Sequence, residues 1–552
     1  MSACGSDRSE GPPRRNSSTA SAAAASASAQ AAPLSPAEAR AAAFESSLLP
    51  AFDLNGVDLR MKLADRMAKW GVPAVGVAVV EGNAIQFART YGVLERARDP
   101  GDRKSEIGAD VDTVFQAASI SKPITAAAIL ALVDQHQLDL DKPVNSYLRA
   151  WKLDDSVFTK DHPVTIRGLL SHTAGINAPE QQLYVSYPES FGGYKPGAAI
   201  PTTVQVLDGA PPALTVPVEA MKDSPCPEEP SKPPKPCFKY SGGGYTILEL
   251  VVQDVTGQPF GAAIQRLVFD PIGMRHSSFS DAPPTPNAAR AHRGDANTPP
   301  GGWIVVAEKA AGGLWTTPSD LALFLIDLSA AYRGEEGHVL TPASARAMLS
   351  PVANARPLLQ ASMGLGMFLS DDPGDLVFSH NGHNPGYHAT IVALPALGKG
   401  FVVMTNRETG AEIMGEISNS VGEVFDWPAR SGLRARKREL FPVAPEALRG
   451  FAGSYSGGGF LDKPLRARVR TEGAQIFAKV DELDEAQIYA IGEGEFVDPF
   501  APAVLRFKVS APQALSSGAV PPRNAKDEPQ EVSLEYDSPA GKRTATRDEP
   551  RP

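Results

Sequence analysis

Hydrophobic and polar positions divide this chain into segments of different period. Gly71-Val-Pro-Ala-Val-Gly-Val-Ala-Val-Val80 is almost continuously apolar, the pattern of a buried strand. Glu81-Gly-Asn83 supplies a turn, and Ala84 to Thr90 reads as a second strand. Between Phe115 and Leu130 a short apolar run passes into a helical stretch rich in Ala, Ile and Leu, and an all-helical stretch is expected to follow. Residues 177–238 are rich in Pro, Gly and Ser with little helix signal, and read as a long loop. Thr317-Pro-Ser-Asp320 marks a helix start, with Thr as cap, Pro in the first turn and Asp reaching back. Thr341-Pro342 marks another, and strands return at 376–406, including Ala389-Thr-Ile-Val-Ala-Leu394.

The predicted fold class is α/β. An antiparallel sheet drawn from the two ends of the main unit carries helices on both faces, and a helical subdomain is inserted. Past residue 430 the pattern changes. Arg434-Ala-Arg-Lys-Arg-Glu439 reads as a charged linker. From Leu448-Arg-Gly-Phe-Ala-Gly-Ser-Tyr-Ser456 onward, short alternating runs at 476–480, 504–509 and 532–536 are separated by turn residues. They predict a small, barrel-like antiparallel β-domain, frayed from Ser538. The expected division is a disordered tail at 1–45, a catalytic domain at 46–432, a linker at 433–445 and a β-rich domain at 446–552.

Composition adds limits. A chain of 552 residues with 42% hydrophobic content can bury two or three cores. The net charge of −10 comes from mixed acids and bases, and no basic stretch argues for nucleic-acid binding. No apolar run reaches transmembrane length. The Ala/Ser tract from Ala20 to Ala32 has too little apolar bulk to pack.

The chemistry is carried by Ser119-Ile-Ser-Lys122. Helical positions i and i+3 share a face, so the Ser119 hydroxyl and the Lys122 amine can meet at the first turn of the helix. A serine hydroxyl needs a neighbouring base to become a nucleophile, and a lysine whose pKa is lowered by burial can serve. Alone, Ser-x-x-Lys is a weak signal. Two further elements strengthen it: Tyr240-Ser-Gly242, ahead of a helical apolar pattern, and His380-Asn-Gly382, ahead of the 389–394 strand. At Gly382 a small residue would let substrate approach a strand edge with free N–H groups.

In this order the three elements resemble the penicillin-recognising serine hydrolases, in particular the class C β-lactamase, D-aminopeptidase and esterase branch. Val164-Thr-Ile-Arg-Gly-Leu-Leu-Ser-His-Thr-Ala-Gly-Ile176, Gln137-Leu-Asp-Leu-Asp-Lys-Pro-Val144, Pro271-Ile-Gly-Met-Arg-His-Ser-Ser-Phe279 and Ala310-Ala-Gly-Gly-Leu-Trp-Thr-Thr-Pro-Ser-Asp320 resemble further family stretches. The likeness runs from about residue 50 to about residue 430. It implies a serine β-lactamase-like sandwich, with Ser119 as acylated nucleophile and Lys122 and Tyr240 sharing the proton work. It also implies an oxyanion hole from the N–H groups of Ser119 and His383, with His380 lining the far wall. The C-terminal β-domain resembles a barrel that overhangs the site in some of these enzymes. His172 reads as a brace for its loop, and Trp315 as core.

Two departures bear on substrate. Gly242 stands where the β-lactamases carry the Asn of Tyr-x-Asn, and His380 where they carry the Lys of Lys-Thr-Gly. Both argue for small-molecule esters or amides over β-lactams. A true β-lactamase or D-Ala peptidase stays open as an alternative, as does a non-catalytic cell-envelope binding protein of the same fold. No metal and no organic cofactor are expected, because the nine His lack ligand spacing and the sequence has no His-Glu-x-x-His, Walker loop or Cys-x-x-Cys.

The cysteines address compartment. Cys226 and Cys237 flank a Pro-rich segment just before Tyr240. A bridge between them would close a short loop and contribute about 2–3 kcal/mol. Met1-Ser-Ala-Cys4 looks like the end of a lipoprotein signal, which makes Cys4 a candidate lipidation site and membrane tether. The apolar stretch that should precede it is missing, so either the coding sequence starts upstream of Met1 or Cys4 is incidental. The expected location is the periplasm or cell envelope, with the cytoplasm as alternative.

Overall fold

The computed structural model describes residues 35–97, 101, 104, 106–157, 159–177, 193–221, 237–294, 298–356, 361–370, 376–428, 433–460, 463–481, 483–509, 532–538 and 541–548. The helices that matter here are α1 (Pro36–Ser46), α2 (Leu63–Trp70), α3 (Ser121–Asp134), α4 (Ile166–Leu170), α5 (Thr203–Asp208), α6 (Gly242–Thr256), α7 (Lys309–Gly312), α8 (Pro318–Arg333), α9 (Pro342–Met348) and α10 (Gly410–Val424). The strands of the main unit are β1 (Phe52–Leu54), β2 (Ala74–Glu81), β3 (Ala84–Gly92), β4 (Phe115–Ala118), β5 (Leu314–Thr316), β6 (Ala353–Arg356), β7 (Ala361–Met363), β8 (Phe368–Ser370), β9 (Phe378–Asn384), β10 (Tyr387–Leu394), β11 (Lys399–Thr405) and β12 (Arg436–Arg438).

Eight strands form one antiparallel sheet in the order β3-β2-β11-β10-β9-β8-β7-β6. The 71–80 run is apolar throughout because both its faces are covered. Val75, Val77 and Val79 pack with Phe44 of α1, Met67 of α2 and Ile413 and Ile417 of α10. Ala74, Ala78 and Val80 join the opposite core with α3, α6 and α8. Helix α3 is buried from Ser121 to Leu132, which explains a sequence with no polar face.

Eight further strands, β13 (Gly453–Phe460), β14 (Lys463–Glu472), β15 (Gln475–Val480), β16 (Ala486–Gly492), β17 (Glu495–Val497), β18 (Val504–Val509), β19 (Val532–Ser538) and β20 (Gly541–Arg547), close into an antiparallel barrel. The barrel meets the main unit near β1 and α2. The Phe52 N–H donates to the Pro499 carbonyl at 3.2 Å, Val497 packs on Phe52 and Leu54, and Phe500 lies 5.2 Å from the Arg66 guanidinium.

Several expectations need correction. The tail expected at 1–45 ends in a helix: Ser35 and Glu38 form a reciprocal capping box on α1, and Ala41 and Phe44 are buried. Residues 1–34 lie outside the described residues. The linker expected at 433–445 contains β12, which pairs in parallel with β1, and Arg434 bonds Glu423 and Asp426. Arg434 and Lys437 are paired with carboxylates at and just past the end of α10, while Arg436, Lys437 and Arg438 stay exposed. The all-helical stretch expected after α3 holds, among the described residues up to 177, only a 3-10 turn at Val144–Ser146 and the short α4. Within the loop expected at 177–238, α5 forms behind its own capping box, Thr202 and Gln205. The end expected to fray from Ser538 supplies β20, which closes the barrel against β13. Thr317 and Thr341 cap α8 and α9 as predicted. The Asp320 carboxylate, however, accepts from the His276 N–H and the Ser277 hydroxyl instead of reaching back.

Candidate active site

Ser119 lies in the tight turn that joins β4 to α3, two residues before the helix proper. The turn is strained: Ala118 has φ +48°, a left-handed conformation that a β-carbon disfavours. Ser121 holds it in place. Its hydroxyl donates to the Ala118 carbonyl at 2.6 Å and accepts the Leu314 N–H at 3.0 Å. Ser121 is fully buried and its hydroxyl is committed, whereas Ser119 is half-buried and lines a cavity of about 410 Å³.

Lys122 is 2% exposed. Its Nζ donates to Ser119 Oγ at 3.1 Å and to the Ala311 carbonyl at 2.7 Å. It sits 4.8 Å from the Tyr240 ring centroid and 5.6 Å from that of Tyr245. The helical i, i+3 argument thus delivers the predicted contact, though through the turn before the helix.

Tyr240 is placed by His172. The imidazole stacks on the phenol ring at 4.3 Å. Its Nδ1 accepts the Ser241 N–H at 3.1 Å, and its carbonyl accepts the Lys239 N–H at 2.8 Å. Burial, then the Lys122 charge and His380, push the His172 pKa well below its ordinary value. The ring is neutral, with its proton on Nε2. The brace expected of His172 therefore acts on the residues either side of Tyr240. Ser241 caps α6 through the Gly244 N–H, and its hydroxyl bonds the Asn177 carbonyl.

The third element lies on β9. His380 is 2% exposed, and its Nδ1 donates to the Asn381 carbonyl at 2.7 Å. The ring centre is 6.5 Å from that of Tyr240. Strand β9 is internal to the sheet, but β8 pairs only with its first two residues, Phe378 and Ser379. Gly382 lines the Ser119 cavity, and a contact on its other side also requires a glycine there. Its α-carbon faces the Ala117 carbonyl, and a β-carbon there would lie 2.0 Å from that oxygen. The glycine lets β9 close on β4 behind the nucleophile.

His383 also lines the Ser119 cavity, with its ring 49% exposed. Its Nε2 lies 2.8 Å from Glu408 Oε1, and it stacks on His388 at 4.5 Å. Burial opposes ionisation of Glu408, but bonds from His383 and the Gly386 N–H outweigh it and hold the carboxyl below its usual range. Burial and His383 together lower the His388 pKa. On the other wall of the cavity, α10 contributes Ala411, Met414 and Gly415.

Sequence reasoning missed Glu408 and the Ala311 carbonyl. A backbone carbonyl carries no sequence signal; Glu408 lies three residues past the end of β11, and nothing local ties it to His383. Among the described residues no His, Cys, Asp and Glu cluster is placed to hold a metal, and no helix is long and apolar enough to cross a membrane. Cys237 is disulfide-bonded; Cys4 and Cys226 lie outside the described residues.

The beta-lactamase family profile matches residues 59–419, which span every element of this site. The chain belongs to the beta-lactamase family. It is 27% identical to penicillin-binding protein 4 of Amycolatopsis lactamdurans over 378 residues, covering 65% of this chain and 89% of that protein. It is 31% identical to esterase EstB of Burkholderia gladioli over 215 residues, 38% of this chain and 50% of the esterase. In fold it resembles the octameric penicillin-binding protein homologue of Pyrococcus abyssi, with a TM-score of 0.55 at 17% identity over 88% of this chain and 98% of that one. Family membership makes this chain a serine hydrolase with a mixed α/β catalytic fold, and the C-terminal barrel follows the matched region.

Proposed function

We propose that the chain hydrolyses small-molecule esters or amides through an acyl-enzyme on Ser119. The observation that carries this reading is the 3.1 Å contact between Lys122 Nζ and Ser119 Oγ, with Lys122 buried and Ser119 open to a cavity. Ser119 Oγ bonds to the carbonyl carbon while Lys122 and Tyr240 take its proton. The negative oxygen of the tetrahedral intermediate rests on the N–H groups of Ser119 and His383, each worth roughly 3 kcal/mol of barrier. Collapse expels the alcohol or amine, which leaves with the proton. Water then attacks the acyl-enzyme by the same route and frees Ser119.

The esterase or amidase form of this reading is supported by Gly242 and His380. A buried His380 whose Nδ1–H is spent on its neighbour's carbonyl offers a substrate carboxylate less than a lysine would. The penicillin-binding relative keeps β-lactamase or D-Ala peptidase activity as the second reading. Turnover of short p-nitrophenyl esters, D-Ala p-nitroanilide and nitrocefin by wild type and Ser119→Ala separates them. Nitrocefin as the best substrate would reverse the order, and no turnover of any of the three would favour a binding protein.

We further propose export to the cell envelope, since a disulfide at Cys237 is kept in an oxidising compartment. Cys226 is the proposed partner, and Cys4 the proposed tether. Alkylation of native protein should leave Cys226 and Cys237 unmodified until reductant is added. Cytoplasmic fractionation with both thiols free would refute the proposal.

A further inference from the structure

Helix α6 is apolar around Ile247, Leu248, Leu250 and Val251, yet Glu249 sits among them at 3% exposure. A buried carboxylate persists only where its oxygens are satisfied. Here Oε2 accepts the Ala310 N–H at 2.9 Å and Oε1 accepts the Thr203 hydroxyl at 2.9 Å. Gln253 in turn donates to Thr203 Oγ1 at 2.8 Å. Burial raises the Glu249 pKa to about 7.

Ala310 belongs to α7, a segment of four residues. A helix this short makes few internal hydrogen bonds, here from the Gly312 N–H to the Glu308 carbonyl and from the Gly313 N–H to the Lys309 carbonyl, so outside contacts help to fix it. Glu249 holds its first turn. Asn384 of β9 holds its far end, donating to the Gly312 carbonyl at 3.2 Å. Between these two anchors the α7 carbonyls face α3: Ala310 accepts from the Thr125 hydroxyl at 3.3 Å, and Ala311 accepts from Lys122 Nζ at 2.7 Å. The position of the Ala311 carbonyl fixes where Lys122 Nζ sits, and hence its distance from Ser119 Oγ.

We infer that Glu249 is a positioning residue for the reaction: it fixes α7 so that the Ala311 carbonyl aims Lys122 at Ser119. The inference rests on the proposed role of Lys122. Thr203 is the outer member of the same chain, linking α5 to α6 and α7.

The test is steady-state kinetics on p-nitrophenyl acetate, with fluorophosphonate labelling rates and melting temperatures, for Glu249→Leu, Glu249→Gln and Thr203→Val. Leu removes the acceptor at near-constant volume. Glu249→Leu should lower kcat by about tenfold or more with KM within twofold, and slow labelling of Ser119 in proportion. Gln keeps an acceptor for the Ala310 N–H and should restore kcat to within about threefold of wild type. Thr203→Val, which tests the chain if Glu249→Leu does not fold, should lower kcat about threefold. A folded Glu249→Leu with wild-type kcat overturns the inference, and so does a Gln variant no better than Leu. If Glu249→Leu does not fold, an unchanged Thr203→Val overturns it. Absence of Ser119 labelling in the wild type would instead refute the proposed function, and this inference with it.

Discussion

Replacing Gly382 by alanine should disable the enzyme from behind. The added β-carbon would lie 2.0 Å from the Ala117 carbonyl oxygen, 3.0 Å from its carbon and 3.3 Å from the Ala118 β-carbon. Real β-carbons essentially never come closer than 3.0 Å, so one backbone must move by about 1 Å. Neither side gives easily. Strand β9 is paired to β10 along its length, and β4 is buried and paired to β5. The Ala117 carbonyl also accepts the Ile120 N–H at 3.1 Å, so it is part of the turn that carries Ser119. Overpacking of this kind costs about 1–3 kcal/mol of stability. A displacement of about 1 Å at the nucleophile costs on the order of 10²-fold in rate. The assay is kcat/KM on p-nitrophenyl acetate together with urea unfolding. Gly108→Ala is the control, because nothing lies within 4 Å of its added β-carbon and its φ is ordinary. A Gly382→Ala enzyme within threefold of wild type and equally stable would refute this account of the glycine.

Other consequences follow from the same contacts. Lys122→Ala and Tyr240→Phe should each lower kcat by about 10²–10⁴-fold, and neither should add its full effect to Ser119→Ala; a silent Tyr240→Phe would move the proton work to Lys122 alone. Glu416→Ala should destabilise the main unit by about 3–5 kcal/mol in chemical unfolding, because it strands Arg66 in a nearly dry pair between α2 and α10; a loss below about 1 kcal/mol would show that the pair is solvated. Glu249 makes stability fall as pH rises. Its folded pKa of about 7 lies above the ordinary 4.5, so the unfolded chain releases this proton first. The group's contribution is fully present below about pH 4.5, declines by about 3 kcal/mol as pH rises to about 7, and is level above that. Glu249→Gln should flatten that part of the stability profile, and identical slopes in variant and wild type would contradict the assignment.

What could be read from the sequence was mostly local. The Ser119–Lys122 spacing, the buried 71–80 strand and the Thr-Pro helix starts are each decided by neighbours within a few residues, and each appears in the fold. The capping box Ser35-Pro-Ala-Glu38 was equally local, but the Ala/Ser tract before it masked the signal. Other features depend on residues far apart. The close approach of Ala117 to Gly382 comes from another strand, so it could not be inferred from His380-Asn-Gly. The Arg434–Glu439 run reads only as a charged linker because the partners of Arg434, Glu423 and Asp426, are brought to it from the end of α10. A lone acid inside Tyr245-Thr-Ile-Leu-Glu-Leu-Val-Val252 was a readable anomaly, and its partners on α5 and α7 required the structure.

The most direct test of the central claim is the site of covalent labelling by a fluorophosphonate, mapped by mass spectrometry on intact protein and on Ser119→Ala. The account predicts a single adduct on Ser119 in wild type, and no adduct and no ester turnover in a Ser119→Ala protein that melts as wild type does. An adduct that persists in Ser119→Ala, on Ser121 or any other serine, would contradict it.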